Sequence, residues 1–196
     1  MLDLNTFEAI FNTVLCPGDA FARQYFPELA VHMFRKYQIA ATFRPRSIVE
    51  FGVRAGYSGW ALSKGATDTG VVPTYVGFDS DIDQNGPVFV SHARKIISTV
   101  AGAVEIRQAD TRKLVPADIP KADLVHVDAD HSYAGALHEI SIASGAASPG
   151  GVVVSDDFDY MLDVRRAVLD FLSANPRWFA MHVESWRGEA ILVKPR

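Results

Sequence analysis

The sequence predicts an α/β fold: a doubly wound, mostly parallel seven-stranded sheet with an antiparallel edge hairpin, preceded by N-terminal helices. Three observations lead there. Five short apolar runs alternate with stretches of roughly ten to fifteen residues that can be helical, which is β-α repetition and implies a parallel sheet covered on both faces. Two final apolar runs are separated by a short polar stretch, the spacing of a hairpin. The first forty-odd residues instead carry apolar positions three to four apart, the period of a helix.

Taken in order, Leu4, Phe7, Ile10, Phe11, Val14 and Leu15 form one helical stripe, and a second helical stretch starts at Pro27, a residue suited to a first turn. The strands are Ser47–Phe51, Thr74–Phe78, Val104–Ile106, Ala122–Val127 and Gly151–Val154. Trp178–Val183 and Glu189–Val193 flank Glu184-Ser185-Trp186-Arg187-Gly188 as the two arms of the hairpin. No repeat, low-complexity tract or linker interrupts the chain, so residues 1–196 read as one domain, with a helical region 1–45 ahead of a core 46–196.

Composition narrows the function classes. A 196-residue chain with 48% hydrophobic content can bury roughly 70% of its unfolded surface in one core. Its net charge of −4 and lack of a basic stripe disfavour nucleic acid as a partner. The opening MLDLNTFEAIFN has no basic and apolar signal pattern and no run of 18 apolar residues occurs, so neither secretion nor membrane insertion is expected. The single cysteine, Cys16, fits a reducing cytoplasm and reads as a packing residue. The apolar N-terminal helices are a surface through which a homodimer could form.

Each of the first five strands ends in, or is followed at once by, an acid: Glu50, Asp79, Asp110, Asp128, and the pair Asp156-Asp157. Ligands of open parallel sheets bind beyond the carboxyl ends of the strands, so these acids share one concave edge. Such a collection repels itself unless positive charge joins it. Helix capping is the simpler role for any one of them. The first turn, EFGVRAGYSGW over residues 50–60, places Gly52 and Gly56 between strand and helix, where backbone N–H groups can approach a ligand. Arg54 occupies the position where the dinucleotide fingerprint requires glycine, and no triphosphate loop is present.

The octet HVDADHSY, residues 126–133, follows the fourth strand. Strand alternation puts Leu124, His126 and Asp128 on one face and Val125 and Val127 on the other. His126 then reads as a packed, hydrogen-bonded histidine, and Asp130 as the cap of a helix starting near Tyr133. His131 is either an acid/base group or an exposed loop residue. His32, His92, His138 and His182 read as surface residues.

Together VEFGVRAGYSGWAL, VGFDSD, RQADT, LVHVDADHSY and GGVVVSDDF resemble, in order and spacing, a class I S-adenosylmethionine-dependent methyltransferase, and within that class the small O-methyltransferases of the catechol and antibiotic-sugar type, many of them metal-dependent. The resemblance covers roughly residues 46–195 and implies a Rossmann-like methyltransferase core, with the leading helices as a lid and substrate region. It implies that Glu50, Gly52, Tyr57 and Ser58 hold the methionine portion of S-adenosylmethionine. Asp79 would accept the ribose hydroxyls, and Asp110 with Thr111 would stand by the adenine edge. Asp128 would serve cofactor and metal together, with Asp156 and Asp157 completing a site for Mg²⁺ or another divalent cation. Where catechol-type enzymes place a lysine base, three residues after Asp128, this chain has His131.

The reaction so implied is methyl transfer to a hydroxyl oxygen of a small-molecule acceptor, a phenol, catechol or sugar, with Asp128 and His131 as catalytic residues. A divalent ion can clamp vicinal oxygens and lower the pKa of the one attacked, and His131 could take its proton. The N-terminal helices, Phe158, Asp159, Tyr160 and Trp186 are expected to form the acceptor pocket. Two rivals exist. HVDADH differs by one residue from the H-x-H-x-D-H signature of zinc hydrolases, so a metal-dependent hydrolase is an alternative; a catalytically silent cofactor-binding module is the other.

Overall fold

The computed structural model describes residues 1–80 and 86–196. Asp81, the last residue of VGFDSD, lies outside the described residues.

Three helices open the chain: α1 (Leu4–Thr13), α2 (Ala20–Gln24) and α3 (Phe26–Phe43). Aspartates start the first two, Asp3 accepting from the Thr6 N–H at 2.8 Å and Asp19 from the Ala22 N–H at 3.1 Å, each satisfying an otherwise orphaned helix donor. Helix α3 begins with Pro27 in its first turn and ends at Arg44, whose φ of 52° reverses the chain.

Alternation follows: β1 (Ser47–Phe51), α4 (Tyr57–Thr67), β2 (Thr74–Asp79), α5 (Gly86–Ile97), β3 (Ala103–Gln108), β4 (Ala122–Val127), α6 (Tyr133–Ala146), β5 (Ala147–Ser155), α7 (Leu162–Ala174), β6 (Phe179–Val183) and β7 (Glu189–Val193). The seven strands stand in the order β3-β2-β1-β4-β5-β7-β6. The first five pair in parallel, and β7 enters antiparallel between β5 and β6. The expected sheet and hairpin are therefore present. Strands β3 and β5 run longer than their apolar runs, because ladder pairing continues into residues without an apolar signature.

Period-two alternation divides the interior into two cores. Ile48, Leu124, Val152 and Val154 face α3, α4 and α5, whereas Val49, Val125, Val127 and Val153 face α6 and α7. On the first face an aromatic cluster of Phe7, Phe11, Phe34, Tyr37 and Trp60 joins the N-terminal helices to α4, with ring centroids 5.3–5.9 Å apart. Burying each large apolar side chain contributes roughly 1.5–3 kcal/mol. Gly65 lets α4 lie against α3, since a Cβ there would strike the Tyr37 carbonyl. The leading helices thus belong to the main core, with Phe7 and Phe11 buried in it. Cys16 is buried, as expected of a packing residue. Among the described residues no helix is long and apolar enough to cross a membrane.

Candidate active site

A cavity of about 460 Å³ opens at the carboxyl ends of the parallel strands. Its wall joins the glycine turn (Gly52 to Ala55), the start of α4 (Tyr57, Ser58), Asp79, Ser80, Thr111, Asp128 and His131 to His32 and Met33 of α3 and to Trp186 and Arg187 of the hairpin turn.

The turn after β1 is shaped by close approach. Gly52, at φ 85°, donates to the Phe78 carbonyl at 2.8 Å, and a Cβ on it would strike the Asp128 carbonyl. Arg54 takes φ 45°, the left-handed form that a glycine would adopt freely. Two contacts hold it: its N–H donates to Asp79 Oδ2 at 2.7 Å, beside that of Val53 at 2.9 Å, and its guanidinium forks onto Asp19 at 3.0 Å. Burial would raise the Asp19 carboxyl, but the Ala22 N–H and Arg54 hold it below its ordinary value. Asp19 also accepts from the Tyr57 hydroxyl at 3.0 Å, which straps the chain before α2 to the start of α4.

Glu50 sits beneath the cavity wall rather than in it. Its buried carboxylate accepts from Ser58 Oγ, from the Tyr75 hydroxyl, and from His126 Nδ1 at 2.9 Å. Burial and the adjacent carboxylate push the Tyr75 hydroxyl far up, so it remains a donor. His126 is a packed, hydrogen-bonded residue, as its strand position implied. Burial works against its charged form, yet Glu50 lifts it above its ordinary value.

Asp128, 30% exposed, and His131, 37% exposed, lie side by side, with Nε2 3.4 Å from Asp128 Oδ1 and 2.7 Å from Asp157 Oδ2. The second contact is close without the alignment of a hydrogen bond. Asp128 and then Asp157 push His131 up to about 10, so it carries its proton at neutral pH. Burial and the Asp156 carboxylate push Asp128 up to about 6. Asp157 adopts φ 58° and receives Arg187 Nη1 at 3.0 and 3.2 Å, a cationic partner that helps to hold the strained backbone.

Asp156 meets two side chains of α3. Lys36 of α3 places Nζ 2.9 Å from its Oδ2, and His32 Nε2 lies 3.1 Å from its Oδ1. Glu189 continues the network, taking Lys36 at 3.2 Å, while Ser185 bridges His32 and Glu189 at 2.9 and 3.2 Å. Lys36 is 0% exposed and His32 2%. Burial disfavours the ammonium, but Asp156 and Glu189 reverse the effect and raise it. Burial likewise disfavours the Asp156 carboxylate, and His32 and Lys36 hold it well below the usual range.

Several expectations change in detail. Asp128, Asp156 and Asp157 do not form a single convergent set among the described residues; the trios with donor atoms within 4.8 Å are His32–Asp156–Glu189, His126–Asp128–Asp156 and Asp128–His131–Asp157. A divalent ion needs free carboxylate oxygens at short range, and here Lys36 and Arg187 contact those of Asp156 and Asp157. Asp110 turns away from the cavity wall to cap a 3₁₀ turn and receive Arg112 Nε at 2.9 Å. Its neighbour Thr111 does reach the wall, oriented by a 2.5 Å bond to Glu139. Ser132, not Asp130, caps α6, accepting from the Gly135 N–H at 3.2 Å. His32 is not a surface residue, and sequence reasoning missed Lys36 and Arg187 entirely. One signal was present for the first two: His32 and Lys36 stand four apart, next to the buried Leu29, Met33 and Ala40.

Solved structures with the same architecture are numerous. An O-methyltransferase from Bacillus cereus, in complex with SAH, superposes with a TM-score of 0.68 at 17% identity, covering 98% of this chain and 100% of that one. Cofactor-bound Rv0187 from MTB gives 0.66 at 20% identity, with 97% and 88% covered. The O-methyltransferase TomG from Streptomyces achromogenes, involved in tomaymycin synthesis and solved with SAM, gives 0.64 at 17% identity, with both chains covered in full. No curated protein matches. A family described as "Methyltransferase domain" matches residues 49–158, more than half of the chain and the stretch that carries the glycine turn, Asp79, Asp128 and the Asp156-Asp157 pair, so the protein belongs to the methyltransferase-domain family.

Proposed function

We propose that the protein transfers a methyl group from S-adenosylmethionine to a hydroxyl oxygen of a small molecule. One observation carries the reading: Asp79, pinned by the Val53 and Arg54 N–H groups, stands on the wall of a cavity that also exposes the glycine turn and Asp128. A carboxylate suits the hydroxyls of a ribose, and a positively charged sulfonium suits a rim rich in acids. The SAH- and SAM-bound neighbours support the choice of donor.

The acceptor oxygen attacks the methyl carbon in line; the C–O bond forms, the C–S bond breaks, and its electron pair stays on sulfur. Holding the two reactants in that alignment is the protein's main contribution. Asp128 faces the cavity and takes the hydroxyl proton, a step worth roughly 10² to 10⁴ in rate. His131 already holds a proton, so its part is to orient and stabilise Asp128 rather than to act as the base expected from sequence. No step passes through a divalent ion. Phe21, Leu29, Met33 and Trp186 form an apolar wall suited to a ring or sugar face.

A zinc hydrolase has less support, because among the described residues no convergent trio contains two histidines. Calorimetry with S-adenosylhomocysteine, followed by mass spectrometry of phenols, catechols and sugars incubated with S-adenosylmethionine, tests the reading. Micromolar binding and a mass gain of one methylene on an acceptor are expected; no binding at millimolar ligand refutes it.

A further inference from the structure

We infer that Lys36 and Arg187 are built-in counter-cations that take the place of a divalent metal at the carboxylate rim, so that methyl transfer here is metal-independent. The inference deepens the methyl-transfer reading and rests on it for the reaction, though not for the charge arrangement.

Four carboxylates crowd this edge: Asp128, Asp156, Asp157 and Glu189. Each already has a cationic or imidazole partner from the chain. Lys36 Nζ lies between Asp156 at 2.9 Å and Glu189 at 3.2 Å; Arg187 reaches both oxygens of Asp157; His131 stands against Asp128. The second oxygen of Asp156 is also engaged, since it accepts the Asp157 N–H at 2.9 Å.

The two cations are fixed rather than passing neighbours. Lys36 is fully buried on α3, and its ammonium is further bonded to His32 Nε2 at 2.8 Å. Arg187 is held over the Tyr160 and Trp186 rings at 4.8 and 4.9 Å. A small hard cation would have to displace both and replace their bonds with its own oxygen shell. A buried cation that swings nowhere leaves the incoming ion facing repulsion as well as lost contacts. Both residues act through the acids they neutralise, so they are positioning residues.

The test is a titration of EDTA-stripped protein with Mn²⁺, followed by the free-ion paramagnetic resonance signal, with and without S-adenosylhomocysteine. The expected result is no saturable Mn²⁺ uptake, an S-adenosylhomocysteine affinity equal in EDTA and in Mg²⁺, and a thermal midpoint that Mg²⁺ does not move. Lys36→Met and Arg187→Gln each release a carboxylate, and each is expected to gain a Mg²⁺-dependent rise in thermal midpoint. If Lys36→Met does not fold, Arg187→Gln decides. Stoichiometric Mn²⁺ uptake by the unsubstituted protein, lost in Asp157→Asn, overturns the inference; so do folded variants as indifferent to Mg²⁺ as the unsubstituted protein. Failure of S-adenosylhomocysteine to bind sinks the methyl-transfer reading alone, since Mn²⁺ titration of the free protein still decides the charge arrangement.

Discussion

The ammonium of Lys36 lies 2.9 Å from Asp156 Oδ2, joining α3 to the end of β5 where the two side chains are 0% and 4% exposed. Removing one partner of such a pair leaves the other charged and desolvated. Lys36→Met is therefore expected to destabilise the fold by roughly 3–5 kcal/mol, read from urea unfolding. Pairing it with Glu189→Gln should recover part of that loss, because one of the two stranded carboxylates is then neutral.

Asp79 accepts two backbone N–H groups from the glycine turn and faces the cavity. Asp79→Ala orphans both donors and removes the acceptor proposed for the ribose. Hydrogen bonds to a charged group contribute about 1.5–3 kcal/mol, so the affinity for S-adenosylhomocysteine should fall roughly 10- to 100-fold by calorimetry. Unchanged affinity would place the ribose elsewhere.

Asp128 and His131 should separate in kinetics. With Asp128 as the proton acceptor, Asp128→Asn is expected to lower kcat by roughly 10² to 10⁴. His131→Ala should cost less, because it removes only the neighbouring cation. Equal losses in the two variants would return the base to His131.

Glu139 is buried in α6, and burial pushes its carboxyl up to about 7 from an ordinary 4.5. The folded state therefore binds this proton more tightly than the unfolded chain does. Its stabilising contribution is complete below pH 4.5 and is lost as pH rises through about 7. Glu139→Gln keeps an acceptor for Thr111 and removes the titration. The variant is expected to lose the fall in stability across that window, a difference on the order of 2 kcal/mol in chemical unfolding at pH 5 and pH 8.

Gly52→Ala combines a φ of 85° with a collision against the Asp128 carbonyl. The left-handed backbone alone costs about 1–2 kcal/mol, and relieving the collision must move Asp128. Reduced stability together with weaker S-adenosylhomocysteine binding is the expected pair of results; a variant that binds normally would show that the turn can yield.

The strands were legible because buried parallel strands are written as short apolar runs between turns, and the glycine turn because Gly52 and Gly56 take two of its three positive-φ positions, Arg54 holding the third. The acids were legible as a group, since each stands at or just beyond the end of a strand. Their partners were not. Lys36 and Arg187 come from α3 and the hairpin turn, 120 and 30 residues from Asp156 and Asp157 respectively, and no local period reports which distant cation meets which acid. His32 was misread for the same reason: its neighbours in the chain do not reveal that Ser185 and Asp156 close over it. Asp110 shows the ambiguity of the theme, because a strand-end acid can cap the next turn, as it does here, as readily as it can line a cavity.

Helix α3 gives the molecule both a wall of its cavity and the charge that quiets the acids behind it. An engineer who exchanges this segment to admit a different acceptor also removes the ammonium beneath Asp156. Any retargeted version must therefore inherit Lys36 or rewrite Asp156 and Glu189 at the same stroke.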